Sequence, residues 1–323
     1  MENNYWIVNE WLIFKPEFNE ELTNYYDLIN KYKKIMFSNY NDPLIAIETN
    51  NKWIVKYENN FIESKFNQKI DLSKNINLTH LTFEEYFNQE IDLSNNINLT
   101  HLNFGYAFNQ EIDLSNNINL THLNFGYYFN NKIDLSNNIN LIYLIFECYF
   151  NQEINLSNNI NLTHLIFKCN ITKEIDLSNN INLTHLTFGW NFNQEINVLN
   201  NTNLTHLTFG KHFNKKIFIP LNVENLKMCK CNNQYIIDNL HNNIKELNIY
   251  ETNLNLNNLP NSIKKLYINE YNEELNNLPN SIEYLELKNY NLKIRKIPKN
   301  LKTVKCNKKY KYIDDFKDYE VIT

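Results

Sequence analysis

Arginine is almost missing from this chain, occurring once at Arg295, and the basic residues are outnumbered by acidic ones for a net charge of −5. A broad basic surface is therefore absent, which excludes nucleic-acid binding as the main role. No apolar run approaches the ~18 residues of a membrane-spanning helix, and residues 1–10 lack the basic and apolar regions of a secretory signal. A cytoplasmic protein without membrane attachment is expected. Cysteine stops at five, an odd number with no secreted-framework spacing, so free thiols are expected. Glycine (4) and proline (6) are also scarce, so most turns must be made by other residues.

Asparagine fills that gap, at roughly a fifth of the residues. Such a bias can accompany polar disorder, but apolar residues recur here too regularly for that. Aligned on Asn-Leu-Thr-His, leucines stand at Leu78, Leu99, Leu120, Leu141, Leu162, Leu183 and Leu204, a constant period of 21 residues. A fixed period of this size is the signature of a solenoid. Farther on an apolar-x-x-apolar-x-apolar core persists from Val223 to Cys306 with steps mostly of 19 residues. The expected fold is a leucine-rich-repeat-like solenoid, with one parallel β-strand per 19–21-residue coil, short turns or 3₁₀ segments on the convex side and a small α+β N-terminal cap. Its parts are residues 1–65 (cap), 66–217 (regular repeats), 218–307 (divergent repeats) and 308–323 (C-terminal cap or tail).

Counting the first leucine as position 1, apolar residues fall at positions 1, 4, 6, 10, 14, 16 and 20. Positions 4 and 6 alternate as in a strand, so pairs such as Leu102 and Phe104 should point inward while positions 3 and 5 point to solvent. All four glycines (Gly105, Gly126, Gly189, Gly210) occupy position 7, where a close backbone approach or turn is expected. Glu84, Glu147 and Lys168 share that position, so a positive φ is not required there. In the Ile-Asp-Leu-Ser-Asn-Asn arm, Asp and Ser should bond nearby backbone N–H groups and start a single turn. Pro220, Pro260, Pro279 and Pro298 replace Asn three residues before the first apolar residue of a divergent coil, rigidifying its entry. In the cap, Glu20 to Lys34 could hold a short helix, and Lys34–Phe37, Leu44–Ile47 and Trp53–Tyr57 have the pattern of strands.

Ile112 to Phe125, IDLSNNINLTHLNF, resembles short bacterial leucine-rich repeats. The FNQ-x-I element (Phe87, Asn88, Gln89, Ile91) together with LTHLTFG (Leu183 to Gly189) resembles the FNIP repeat family, known from social amoebae and abundant in giant DNA viruses. The resemblance is strong over 66–217 and weaker over 218–307, through the Leu-Pro-Asn-Ser-Ile wording at Leu259 and Leu278. Where the family has Pro before the Ile, this chain has Lys or Glu, as at Glu90 and Glu111. Viral members often carry an N-terminal F-box, which implies a substrate adaptor for a ubiquitin ligase; residues 1–60 show no Leu-Pro-led F-box helix. The resemblance thus implies a protein partner, a host protein or ligase component, and for a viral member the host cytoplasm.

Position 3 is His in six of the seven regular copies (His80, His101, His122, His164, His185, His206) and Tyr143 in the other. Imidazoles ~5 Å apart cannot all be protonated cheaply, so the column is a candidate pH-sensitive feature below about pH 6. It offers no converging third ligand to a metal. The Asp71 to Asp176 series and neighbouring Glu residues are better explained by turn capping than by calcium. Cys229-x-Cys231 with His212 and His241 is only a loose metal-like grouping. No Ser-His-Asp set, phosphate-cradling glycine loop or buried carboxylate pair is present, so no enzyme, cofactor or metal is expected. The expected function is protein binding by a monomer, with a structural, for example virion-associated, role as the alternative. The contact surface would comprise His101, Asn103, His122, Asn124, Tyr143, Ile145, His164, Ile166, Lys168 and His185, with Tyr143, Ile145 and Ile166 as apolar interruptions in a polar face.

Overall fold

A computed structural model of the chain describes residues 3–52, 62–251 and 253–323. They form two compact units, residues 1–162 and 163–323. Each is a solenoid of short parallel strands joined by turns, the fold expected from the 21-residue period.

The first unit opens with β1 (Tyr5–Val8) and β2 (Trp11–Phe14), an antiparallel hairpin turned by Asn9 and Glu10 at φ 48° and 69°. A single-turn 3₁₀ segment (Leu22–Asn24) and a one-turn helix α1 (Tyr26–Ile29) lead into β3 (Lys34–Phe37), which runs parallel to β2. The cap therefore already belongs to the repeat sheet. Helix α2 (Pro43–Lys52) follows, then β4 (His80–Thr82), β5 (His101–Asn103), β6 (His122–Phe125) and β7 (Tyr143–Phe146), each parallel to the one before with His80, His101, His122 and Tyr143 in register.

Two expectations for the cap need amendment. Leu44–Ile47 lies in α2, not in a strand. Asp42 accepts the Leu44 and Ile45 amides at 2.8 and 3.3 Å, and Pro43 at the first helical position suits an N-terminus; these override the apolar alternation. The segment Trp53–Tyr57 lies outside the described residues.

The second unit continues the pattern with β8 (His164–Phe167), β9 (His185–Phe188), β10 (His206–Phe209) and β11 (Asn225–Cys229), then the short helix α3 (Gln234–Asp238). It ends with β12 (Glu246–Tyr250), β13 (Lys265–Asn269), β14 (Tyr284–Lys288), β15 (Thr303–Cys306) and β16 (Glu320–Ile322). Here residues 308–323 are more than a tail. A 3₁₀ turn (Ile313–Phe316) buries Phe316 and β16 adds a further parallel strand to β15.

Three side-chain columns explain why these coils stack. Positions 1, 4 and 6 are buried completely or nearly so in every regular coil. Phe at positions 6 and 10 stack on each other, as in Phe83–Phe87 at 3.7 Å and Phe104–Phe108 at 3.9 Å between ring centroids. Aromatic pairs of this kind add about 0.5–1.5 kcal/mol each beyond the area they bury. The third column is asparagine at position 19: the Asn117 amide, fully buried, donates to Leu93 O and Asn96 O of the coil before, both at 3.0 Å. Asn96 and Asn138 repeat the arrangement. In the divergent coils Pro takes this place, and Ser262 and Ser281 hydroxyls bond Ile244 O and Ile263 O instead. The Asp turn is as expected: Asp92 Oδ1 accepts the Ser94 amide at 2.8 Å, repeated at Asp71, Asp113, Asp134 and Asp176.

Glycine at position 7 answers to close packing, since none of the four has positive φ. A Cβ on Gly126 would lie 1.6 Å from Gly105 O of the preceding coil. The divergent coils leave their longer strands differently, through Lys230, Glu251, Glu270 and Asn289 at φ between 47° and 58°.

Candidate protein-interaction surface

The outward face of the sheet carries positions 3 and 5 of each coil. In the first unit His80, His101 and His122 stack with centroids 4.1 and 4.2 Å apart, and Tyr143 closes the column 5.1 Å from His122. In the second, His164, His185 and His206 stack at 4.1 and 4.0 Å. Each ring is fixed through Nδ1, which lies 2.9 Å from the hydroxyl of the preceding threonine in Thr79, Thr100 and Thr121. Those hydroxyls donate their single proton to a backbone carbonyl of the chain before, as Thr100 does to Thr79 O at 3.0 Å. The imidazole Nδ1 must then be the donor, which leaves the Nε2 lone pair as the acceptor.

His80, His101, His164 and His185 are half-buried rather than freely solvated, and this moves their titration. Burial, joined by the charge of Lys34, lowers His80 to about 4; burial and His80 lower His101 to about 3; burial and His164 lower His185 to about 4. Protonation below about pH 6, expected from spacing alone, is displaced to markedly more acid conditions. At neutral pH the His80, His101 and His185 rings are uncharged.

Position 5 divides the face. Asn124 donates to Asn103 Oδ1 at 2.8 Å, and both are half-buried. Ile145 is only 3% exposed, so it is a packing residue and not a contact residue. Tyr143 and Glu147 flank it along the pleat and Asn124 pairs beside it. Thr82 is buried too, its hydroxyl donating to Asn50 Oδ1 of α2 at 2.9 Å. Helix α2 covers this end of the face: Ala46 packs with Trp11, Ile13, Met36 and Tyr40, and the Trp11 ring stands edge-on to His80 at 5.5 Å. In the second unit Ile166 is half-buried, Lys168 exposed and His164 and His185 half-buried. Farther along that unit the face changes to charges paired one coil apart, with Glu246–Lys265 at 3.7 Å and Glu286–Lys305 at 3.3 Å.

The sequence reading missed an aromatic rim where the chain leaves the strands. Tyr106 and Tyr127 stack at 4.5 Å, Tyr128 meets both edge-on, and Tyr149 lies 5.1 Å from Tyr128. Tyr128 and Tyr149 remain 42% and 53% exposed. Burial, then the Tyr128 hydrogen bond, push the Tyr106 phenol up to about 12. The wording Gly-Tyr-Ala, Gly-Tyr-Tyr and Cys-Tyr just past each strand was the available signal. Trp190 is the exposed counterpart in the second unit, with Lys230 and Lys211 5.1 and 6.0 Å from its ring.

The other candidate residues have structural partners. His241 Nε2 lies 2.9 Å from Pro220 O, and the Cys231 thiol donates to Phe213 O at 3.3 Å. All five cysteines are free thiols. No metal-binding cluster occurs among the described residues.

The FNIP Repeat family matches residues 250–290. That stretch contains the Leu-Pro-Asn-Ser-Ile wording, so the match falls on the coils where the resemblance was weaker. Three solved structures carry the same fold: CroV588 from a giant virus, described as a novel circular LRR protein, an internalin (InlF) of Listeria monocytogenes and an LRR protein of Leptospira interrogans. The chain has the leucine-rich-repeat fold, with an FNIP-repeat match confined to residues 250–290. CroV588 is 29% identical with a TM-score of 0.63, over 94% of this leucine-rich-repeat chain and 51% of its own. The chain thus spans about half the length of CroV588. The Listeria protein is 19% identical over 77% of this chain and 81% of its own, and the Leptospira protein 14% over 91% and 90%, both with a TM-score of 0.57. No curated protein matches this leucine-rich-repeat chain.

Proposed function

We propose that the chain is a non-enzymatic adaptor that holds a protein partner on the outward sheet face and aromatic rim of its first unit. Leucine-rich-repeat folds serve generally as protein-interaction scaffolds. The observation that supports this placement is the exposed Tyr128–Tyr149 pair beside the stacked His101–His122–Tyr143 column, in which His101 is neutral. Tyrosine supplies large, rigid, amphipathic contact area at low entropic cost, and aromatic residues dominate binding hot spots. Uncharged imidazoles add acceptors without a desolvated charge.

The test uses the full chain with a photo-crosslinking residue at Asn103, compared in native lysates with the Tyr128→Ser/Tyr149→Ser variant. A crosslinked protein that disappears from the double variant, with thermal unfolding unchanged, is the expected result. Equal crosslinking in both forms would remove the rim from the contact surface. A ubiquitin-ligase subunit among the captured proteins would support the finer reading of a substrate adaptor.

A further inference from the structure

A second surface, away from the sheet face, is apolar without structural need. At position 20 the first unit places Ile76, Ile97, Ile118, Ile139 and Ile160, exposed by 57, 52, 50, 50 and 50%. Each follows the buried asparagine and begins a tight turn closed from Leu to Asn, as in Leu99 N to Asn96 O at 3.0 Å. Its side chain therefore projects outward. The strand register repeats it once per coil, about 4.8 Å apart, so the five form a ridge.

The turn does not require an apolar residue. In the divergent coils the same position is Leu221 in the first but Asn242, Asn261, Asn280 and Lys299 in the rest, with the equivalent turn bond from Ile263 N to Pro260 O at 3.3 Å and from Ile282 N to Pro279 O at 3.3 Å. Isoleucine there serves something other than folding. On either side of the ridge run rows of asparagine whose amides bond carbonyls of the coil before, as Asn98 to Ile76 O at 2.9 Å and Asn116 to Ser94 O at 3.3 Å. Apart from Lys74 at its first coil, the strip carries no charge, and these bonds hold it flat.

We infer that this ridge is a self-association surface that pairs with the same ridge of a second copy across a two-fold axis. The spacing selects the occupant. A partner without the coil repeat can seat against one or two isoleucines, whereas a second copy has the same repeat and lets all five interdigitate, as identical side chains do in dry sheet-to-sheet contacts. Five isoleucines, each about half exposed and in one row, make a contiguous apolar patch of the kind that marks interaction sites. Asparagine amides offer donors and acceptors together, so the asparagine rows are self-complementary. An isologous pairing of this kind closes at two copies. This dimer is the alternative to the monomer expected from sequence.

The test is sedimentation velocity of the full chain from 1 to about 100 μM at 0.15 and 0.5 M NaCl. The wild type is expected to reach a dimer, with a dissociation constant that salt does not raise. Ile97→Asn/Ile118→Asn/Ile139→Asn installs the residue that the divergent coils already tolerate. It should raise the dissociation constant tenfold or more with unchanged circular dichroism and thermal unfolding. The single Ile118→Lys places two like charges at the axis and should weaken the dimer similarly if the triple variant misfolds. A wild type that stays monomeric at 100 μM, or a dimer that survives the folded variants, overturns the proposal. The crosslinking at Asn103 reads the other surface, so either result can fail alone.

Discussion

Single residues set the pH behaviour of this protein, and two kinds act in opposite directions. His80, His101 and His185 are held neutral by burial, at about 4, 3 and 4 against an ordinary 6.5. The unfolded chain then binds more protons below about pH 6.5, so this part of the stability is complete above that pH and is lost as pH falls toward 4. Glu84 is the reverse case. Burial, then the charge of Glu85, push its carboxyl from 4.5 up to about 8, with the Asn39 amide at 3.1 Å as a partner. There the folded state binds the extra proton, so stability falls as pH rises from 4.5 to 8. Glu84→Gln is expected to raise the melting temperature at pH 8 and to leave it nearly unchanged at pH 4.5. Differential scanning calorimetry at the two pH values checks this, and an equal shift at both would assign the effect to packing instead. The position of the histidines was legible in the repeat, but their neutrality was not. It depends on how far the stacked rings exclude water, which spacing alone does not report.

At the scale of elements, the strands were the most legible part, because the Leu-x-Phe alternation and constant period fix both their identity and their register. Helix α2 was misread because Leu44 to Ile47 alternate apolar residues, while the stronger Asp42-Pro43 start signal was passed over. Its consequence is functional as well as structural: the helix occupies the outward face over Thr82, so the free surface starts near His101. Ala46 is the residue to probe, being 2% exposed inside the Trp11, Ile13, Met36 and Tyr40 cluster. Ala46→Glu would bury an unpaired carboxylate and should cost about 3 kcal/mol locally. The expected readout is α2 lifting from the sheet, seen as a red shift of tryptophan emission as Trp11 meets water, with the strand signal in circular dichroism retained. Unshifted emission would show that α2 does not rely on this contact. The aromatic rim escaped notice for a different reason: Tyr106, Tyr127, Tyr128 and Tyr149 follow no single repeat position, and only stacking brings them together.

For the molecule as a whole, a coil touches only its neighbours, so stability is close to a sum over coils and their interfaces. Removing residues 99–119 takes out one complete coil and joins Asn98 to Leu120, a junction with the wording already present at Asn98–Leu99. This variant is expected to fold with the same strand signal per residue and a modestly lower melting temperature. Removing 99–108 instead destroys the register and should abolish cooperative unfolding. Circular dichroism melts of both distinguish a modular array from a core that depends on the full set of copies. The two surfaces inferred above follow the same logic, since each is a row with one contribution per coil.

The direction of the side-chain bonds has a consequence for how such a chain is made. Asn75 donates to Ile29 O and Tyr32 O, Asn96 to Leu72 O and Asn75 O, Asn117 to Leu93 O and Asn96 O, and Thr100 and Thr121 to the threonine carbonyl one coil earlier. In these asparagine and threonine columns the donor is on the later coil and the acceptor on the earlier one. As a ribosome releases the chain from its N-terminus, every new coil arrives carrying its donors and finds its acceptors already fixed, so assembly can keep pace with synthesis one coil at a time.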